Sequence, residues 1–294
     1  MAASTSPPLT TETIDAAAAP NRTTTGDWKF EPRMTTGVLP AAGPDACLPV
    51  PPPTATGISP ASGPAAGNTP VVILGANFQS PAVVRFGSAA ASMVSVVSGG
   101  EVDAATPALA PGALYDVVVV NPSLLVSTLP AAWLADFTDV PEANIFHGYV
   151  ASIFRAGITA GCGGGNYCPD SAVSREQMAV FLLKAEHGSG YAPPICQQIF
   201  DDVPCPSTFA NWIEQLSVEG ITAGCGGNDF CPASSVTREQ MAVFLLKTEH
   251  SSTYVPPTCT GIFDDVDCPG PFTAWIEQFY AELITSGCQT SPLL

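Results

Sequence analysis

The stretch GITAGCGGGNYCPDSAVSREQMAVFLLK (157–184) returns as GITAGCGGNDFCPASSVTREQMAVFLLK (220–247), 63 residues further along. The blocks GITAGCGG and REQMAVFLLK are identical between the two copies. Phe137, Phe200 and Phe263 open successive copies at that same interval, and the third stops at Leu294, shortly after Gly287-Cys288 and before its second helix. A repeat of this length marks supersecondary units that cannot bury their apolar faces alone and must stack on neighbours. The half copy reads as a piece of something longer.

Working outward from the quoted stretch, each unit reads as helix, loop, helix. In the second copy Phe209, Trp212, Ile213 and Leu216 fall at i, i+3, i+4 and i+7, one apolar stripe expected in the core. Phe146, Tyr149, Val150 and Ile153 repeat it in the first copy, and Phe272, Trp275, Ile276 and Phe279 in the third. Gly157 and Gly220 follow as helix stops, where the third copy has Leu283. The second helix opens on Ser174 or Thr237 as N-cap, with Gln177 or Gln240 completing a capping box. Arg175 and Arg238 then sit in the first turn, where a cation opposes the helix dipole. Either the Arg pairs with Asp170 or another acid, or it reaches an anionic ligand beside the helix N-terminus.

Ten cysteines sit in a chain with 26 acidic and nine basic side chains, net charge −17. Cys162 and Cys168 match Cys225 and Cys231; Cys196 and Cys205 match Cys259 and Cys268. Matched local pairs suggest disulfides and an oxidising compartment. Zinc is the rival, but its sites favour two-residue spacers or nearby histidines, whereas these spacers are five and eight residues. Adjacent pairing is the simplest scheme, leaving Cys288 and Cys47 without partners. No metal or cofactor site is expected.

The charge balance argues against a nucleic-acid or anionic-membrane partner, because nothing would neutralise phosphates. No membrane-spanning helix is expected, since the least charged stretch, 106–135, is broken by Pro107, Pro111, Pro122 and Pro130. The first thirty residues show neither a basic start nor an apolar run beyond Ala16 to Ala19, so any export signal lies upstream or takes another form. GxSxG, HExxH and phosphate-loop motifs do not occur, and no enzyme is expected. The acid pairs Asp201-Asp202 and Asp264-Asp265 suit a turn or helix cap at the repeat boundary.

Residues 1–55, rich in Ala, Thr and Pro, read as an extended linker, with Trp28-Lys29-Phe30 as a strand of an upstream domain if one exists. From Ile58 short β-rich runs follow: Val71 to Leu74, Val83 to Phe86, Met93 to Val97, Tyr115 to Val120 and Leu124 to Leu129. Such runs, split by Gly, Pro and Asn, indicate a small β-sandwich over 56–136. Ile58-Ser59-Pro60, Ser62-Gly63-Pro64, Val71-Val72-Ile73-Leu74-Gly75, Asn77-Phe78, Val84-Arg85-Phe86-Gly87 and Val120-Asn121-Pro122 resemble the IPT/TIG immunoglobulin-like domains. That resemblance implies a spacer or adhesive module.

The repeats resemble S-layer homology domains. The residues that carry the likeness are Phe137-Thr138-Asp139-Val140 and Phe200-Asp201-Asp202-Val203, then Gly157-Ile158 and Gly220-Ile221. Tyr167-Cys168-Pro169 and Phe230-Cys231-Pro232 follow, then Ser174-Arg175-Glu176-Gln177 and Thr237-Arg238-Glu239-Gln240. The resemblance implies units at 137–199, 200–262 and 263–294, all α-helical, in a pseudo-threefold bundle. It implies noncovalent attachment at the cell surface to an acidic, pyruvylated envelope polysaccharide, with the motif Arg on Arg175 and Arg238 and the loop Gly on Gly161 and Gly224. The sequence departs from the family in the later placement of Trp212 and Trp275, in its cysteines and in longer units. The alternative reading is a disulfide-stabilised extracellular stalk or self-assembly module without glycan binding.

Overall fold

Alternation sorts the first half of the chain into two sheets. In the stretch Pro70–Ala76, Val71 and Ile73 are buried while Leu74 faces solvent; in Val83–Phe86, Val84 and Phe86 turn inward and Arg85 outward. A period of two puts every second side chain on one face, so each run covers one side of a shared core. The computed structural model describes residues 50–288. Cys47 and Trp28-Lys29-Phe30 lie outside them, as does the end of the third copy.

Nine strands form the sandwich: β1 (Thr54–Ser59), β2 (Ser62–Gly63), β3 (Pro70–Ala76), β4 (Val83–Phe86), β5 (Ala89–Ala90), β6 (Ser92–Ser98), β7 (Glu101–Ala105), β8 (Ala113–Val120) and β9 (Val126–Ala135). One sheet runs β1-β3-β7-β6 and the other β2-β9-β8-β4-β5. β1, β2, β5 and β7 are additions to the runs read from sequence, and β1 begins inside the stretch read as linker. Trp133, wholly buried, anchors the core with Phe86 edge-on at 5.6 Å. Gly63 permits this, since a Cβ there would lie 3.0 Å from the Trp133 ring.

The chain leaves β9 straight into the first repeat, whose helix α1 (His147–Arg155) is tied back to the sandwich. Arg155 donates to the carbonyls of Ala131, Ala132 and Ala61, and His147 meets Asp136 at 2.9 Å. Four further helices follow: α2 (Arg175–His187), α3 (Ala210–Val218), α4 (Arg238–His250) and α5 (Thr273–Ala281). α2 packs on α3, α4 on α5, and α2 on α4. Their shared core includes Leu182, Leu183, Ile213, Leu216, Phe230 and Phe244.

The expected stripe on α1 is corrected. Val150 is buried and packs with Phe137 and Val140, but Phe146 is 56% and Tyr149 73% exposed. The cause is position in the array. Trp212 lies against Tyr191, and Trp275 against Tyr254, each tyrosine supplied by the preceding unit. The first unit follows a sandwich and has no such tyrosine before it. No helix of the described residues is long and apolar enough to cross a membrane.

Candidate functional site

The junction between consecutive repeats is built first by capping. Ser174 and Thr237 have extended backbone geometry and accept from the amides of Gln177 and Gln240, whose side chains return the bond. Both reciprocal boxes therefore start α2 and α4 at a defined residue, which places Arg175 and Arg238 identically on their helices.

Ahead of each helix runs a tight loop. Gly161 and Gly224 hold φ of +72° and +89°, and a Cβ on either would lie within 2.5 Å of the Asn166 or Asp229 carbonyl oxygen. No other residue closes the loop this way. Disulfides Cys162–Cys168 and Cys225–Cys231 bracket it, while Cys196–Cys205 and Cys259–Cys268 bracket the segments that open the second and third copies. Among the described residues Cys288 is the free cysteine.

The Asp of each Phe-x-Asp-Val run secures the loop. Asp139 accepts the amides of Tyr167 and Cys168 at 2.8 and 2.7 Å, and Asp202 those of Phe230 and Cys231, both at 2.7 Å. Burial pushes the Asp139 carboxyl up, but the amides of Tyr167, Cys168 and Asp139 itself outweigh it and hold it below the ordinary value. Asp201-Asp202 and Asp264-Asp265 lie in turns, as expected, and from its turn Asp202 also secures the following loop.

Arg175 occupies the heart of the first junction. Its Nε donates to the Phe230 carbonyl at 2.8 Å and its NH2 to the Gly224 carbonyl at 3.1 Å. The guanidinium lies 4.7 Å from the Phe230 ring centre and 5.6 Å from that of Phe244. Only 3% of the residue is exposed. Burial lowers its pKa, partly offset by Asp202. The expected pairing with Asp170 or another acid is corrected, since Arg175 makes no ion pair among the described residues and its guanidinium is turned into the junction instead. The ion pairs among the described residues are His147–Asp136, His187–Glu219 and His250–Glu282. Carbonyls and aromatic faces take the place of a carboxylate because the cation is needed to tie one unit's helix to the next unit's loop. Backbone bonds reinforce the tie, Arg175 N to Ser234 O and Val236 N to Val173 O, both 2.9 Å.

Arg238 differs. It is exposed, and its guanidinium contacts Cys288 Sγ. It lines a groove of about 480 Å³ with Glu239, Phe263, Asp265, Ile276 and Phe279. A separate hollow of about 290 Å³ at α2 is walled by Glu176, Asp202, Pro204, Thr208 and Phe209, while the positions matching the first groove's lining, among them Phe200, Ile213 and Leu216, are packed core.

Further residues emerge that the sequence reading did not single out. Glu277, 6% exposed on α5, accepts the amides of Thr260, Gly261 and Ile262 at 2.6, 2.7 and 3.0 Å. Glu214 on α3 does the same for Gln197 and Ile199. At the other end of these helices His187 stacks on Tyr191 and meets Glu219 at 3.0 Å, and His250 stacks on Tyr254 and meets Glu282 at 2.8 Å. Recurrence at 63 residues was the available signal for all of them.

Residues 53–131 match the IPT/TIG domain family, and residues 136–179 match the S-layer homology domain family. S-layer homology domains are cell-surface domains that generally bind envelope polysaccharide. No curated protein matches the chain. An auxiliary nutrient binding protein from Bacteroides thetaiotaomicron is 18% identical over 29% of this chain and 21% of its own, with a TM-score of 0.24. The TIG domain of human nuclear factor of activated T-cells, cytoplasmic 4 is 18% identical over 27% of this chain and 84% of its own, at 0.24. SGBP-B from a xyloglucan utilization locus of Bacteroides uniformis is 20% identical over 28% and 23%, at 0.23. The chain thus spans about a fifth of the length of the nutrient-binding protein, and likenesses at these scores carry no functional argument.

Proposed function

We propose, from the IPT/TIG domain followed by an S-layer homology domain that this chain carries, a non-catalytic cell-surface protein that attaches noncovalently to acidic envelope polysaccharide. Three all-helical units starting at residues 137, 200 and 263 form the attachment region, and the immunoglobulin-like sandwich over 56–136 serves as spacer or adhesive module. The observation that carries this reading is the groove beside the capped N-terminus of α4, with Arg238 in its wall. A guanidinium beside helix amides suits a carboxylate-bearing sugar, while Glu239 suits its hydroxyls. Arg175 contributes indirectly, by holding the loop in place.

Cosedimentation of the full chain with purified envelope polysaccharide tests this. Arg238→Ala should weaken binding at least tenfold. Binding left unchanged by Arg238→Ala means that the groove is not the attachment site.

The exposed Ile145, Phe146 and Tyr149 favour a second reading, self-association as a stalk or assembly module. Under it the chain oligomerises in light scattering without glycan, and Tyr149→Ser abolishes the oligomer.

A further inference from the structure

At the first repeat junction two helix C-termini converge. His187 is the last residue of α2, Glu219 is the C-cap of α3, and Glu186 stands beside His187. One ligand atom from each of these three side chains lies within 4.8 Å of the others. The carboxylate of Glu219 is held from two sides, its Oε1 3.0 Å from His187 Nε2 and accepting from Gln215 Nε2 at 2.6 Å. Stacking on Tyr191, ring centres 4.3 Å apart, fixes the imidazole. Yet Glu219 Oε2 is shut off from solvent and has no hydrogen-bond partner. The exposed Glu186 carboxyl stands beside it. Two carboxylates, an orphaned oxygen and the negative ends of two helix dipoles meet at one point, and each of these is relieved by a cation.

We propose that Glu186, His187 and Glu219 form a binding site for a divalent transition-metal ion of the zinc class. Ligand atoms bound about 2.1 Å from one tetrahedral ion lie about 3.4 Å from each other, a few tenths of an ångström beyond the 3.0 Å between His187 and Glu219. An imidazole among carboxylates selects zinc-like ions over calcium and magnesium, which take oxygen donors. Because Glu186 and His187 belong to one unit and Glu219 to the next, the ion staples consecutive repeats. The second junction carries Glu249, His250 and Glu282 at the matching positions, but Glu249 does not join the other two within the same distance.

Zinc titration of the full chain by calorimetry tests the site, with disulfides intact and free thiols alkylated so that Cys288 does not compete. One saturable equivalent is expected, with a rise in melting temperature. Glu219→Gln should weaken it at least tenfold, and so should Glu186→Gln, whose exposed side chain leaves folding untouched. Absence of saturable binding overturns the proposal, as does a zinc response that survives both substitutions. Loss in Glu282→Gln alone moves the ion to the other junction and overturns it equally. Calcium binding that His187→Asn leaves unchanged also overturns the assignment to a zinc-class ion.

Discussion

The guanidinium of Arg175 lies 4.7 Å over the ring of Phe230, a residue 55 positions later in the chain, and donates to that residue's own carbonyl. One side chain thereby locks the helix of one unit to the loop of the next. Flat shape and several donors in a plane let Arg do both at once, stacking while donating along its edge. Lysine donates too, but it has no planar group to stack on the ring.

Arg175→Ala should cost about 2–4 kcal/mol in denaturant unfolding, since it strands the Phe230 and Gly224 carbonyls in the interior and empties the space over two aromatic rings. Arg175→Lys should recover only part of that. Arg238→Ala, at an exposed site, should cost about 0.5 kcal/mol or less. Equal effects at the two arginines would show that the first junction is not locked in this way.

Acid stability should trace in part to Glu277. Burial raises its carboxyl pKa, but the amides of Ile262, Thr260 and Gly261 and the Thr260 hydroxyl outweigh that and hold it below the ordinary 4.5. The folded state therefore binds this proton less readily than the unfolded state. Its contribution is fully present above the ordinary value and is lost as pH falls through the depressed one. Melting temperature measured from pH 7 to pH 2 should decline below about pH 4.5, and Glu277→Gln should flatten part of the decline.

Leu283 holds φ of +62°, where the matching Gly157 and Gly220 hold +69° and +73°. A leucine in this left-handed region is strained by about 1–2 kcal/mol, and at 88% exposure it gains nothing from packing. Leu283→Gly should stabilise the third unit by about 0.5–1 kcal/mol after the added chain entropy of glycine. The shift in thermal midpoint measures it.

Removing the Cys225–Cys231 bridge by a double change to Ala should cost about 2 kcal/mol, the chain-entropy value for so short a loop. Limited proteolysis should then nick the segment between Gly226 and Asp229. The Arg175 and Asp202 contacts remain, so the rest of the unit should stay resistant.

Much of this architecture was legible in local pattern. Alternation at Val71, Ile73, Val84 and Phe86 marks strands because a sheet has two faces, and Ser174 with Gln177 marks a helix start because the capping box lies within four residues. Short strands such as β2 and β5 escape such reading, since two residues carry no period. The role of Arg175 escaped it too: its partners, Gly224 and Phe230, lie in the next unit, and a motif position alone does not tell a buried arginine from an exposed one. Phe146 and Tyr149 show the same lesson on α1, where an apolar stripe met no covering tyrosine.

The sequence by itself determined what is local and repeated: the sandwich, the capped helices, the adjacent cysteine pairs and the 63-residue interval that sets one unit after another. Tertiary structure alone decided which motif residues are buried and what they meet. Arg175 is sealed between Phe230 of the next unit and Phe244, while Phe146 and Tyr149 on the first helix stay exposed. Burial and charge pairing depend on what the neighbouring unit brings within a few ångströms, and that is a property of stacking rather than of any single stretch of chain.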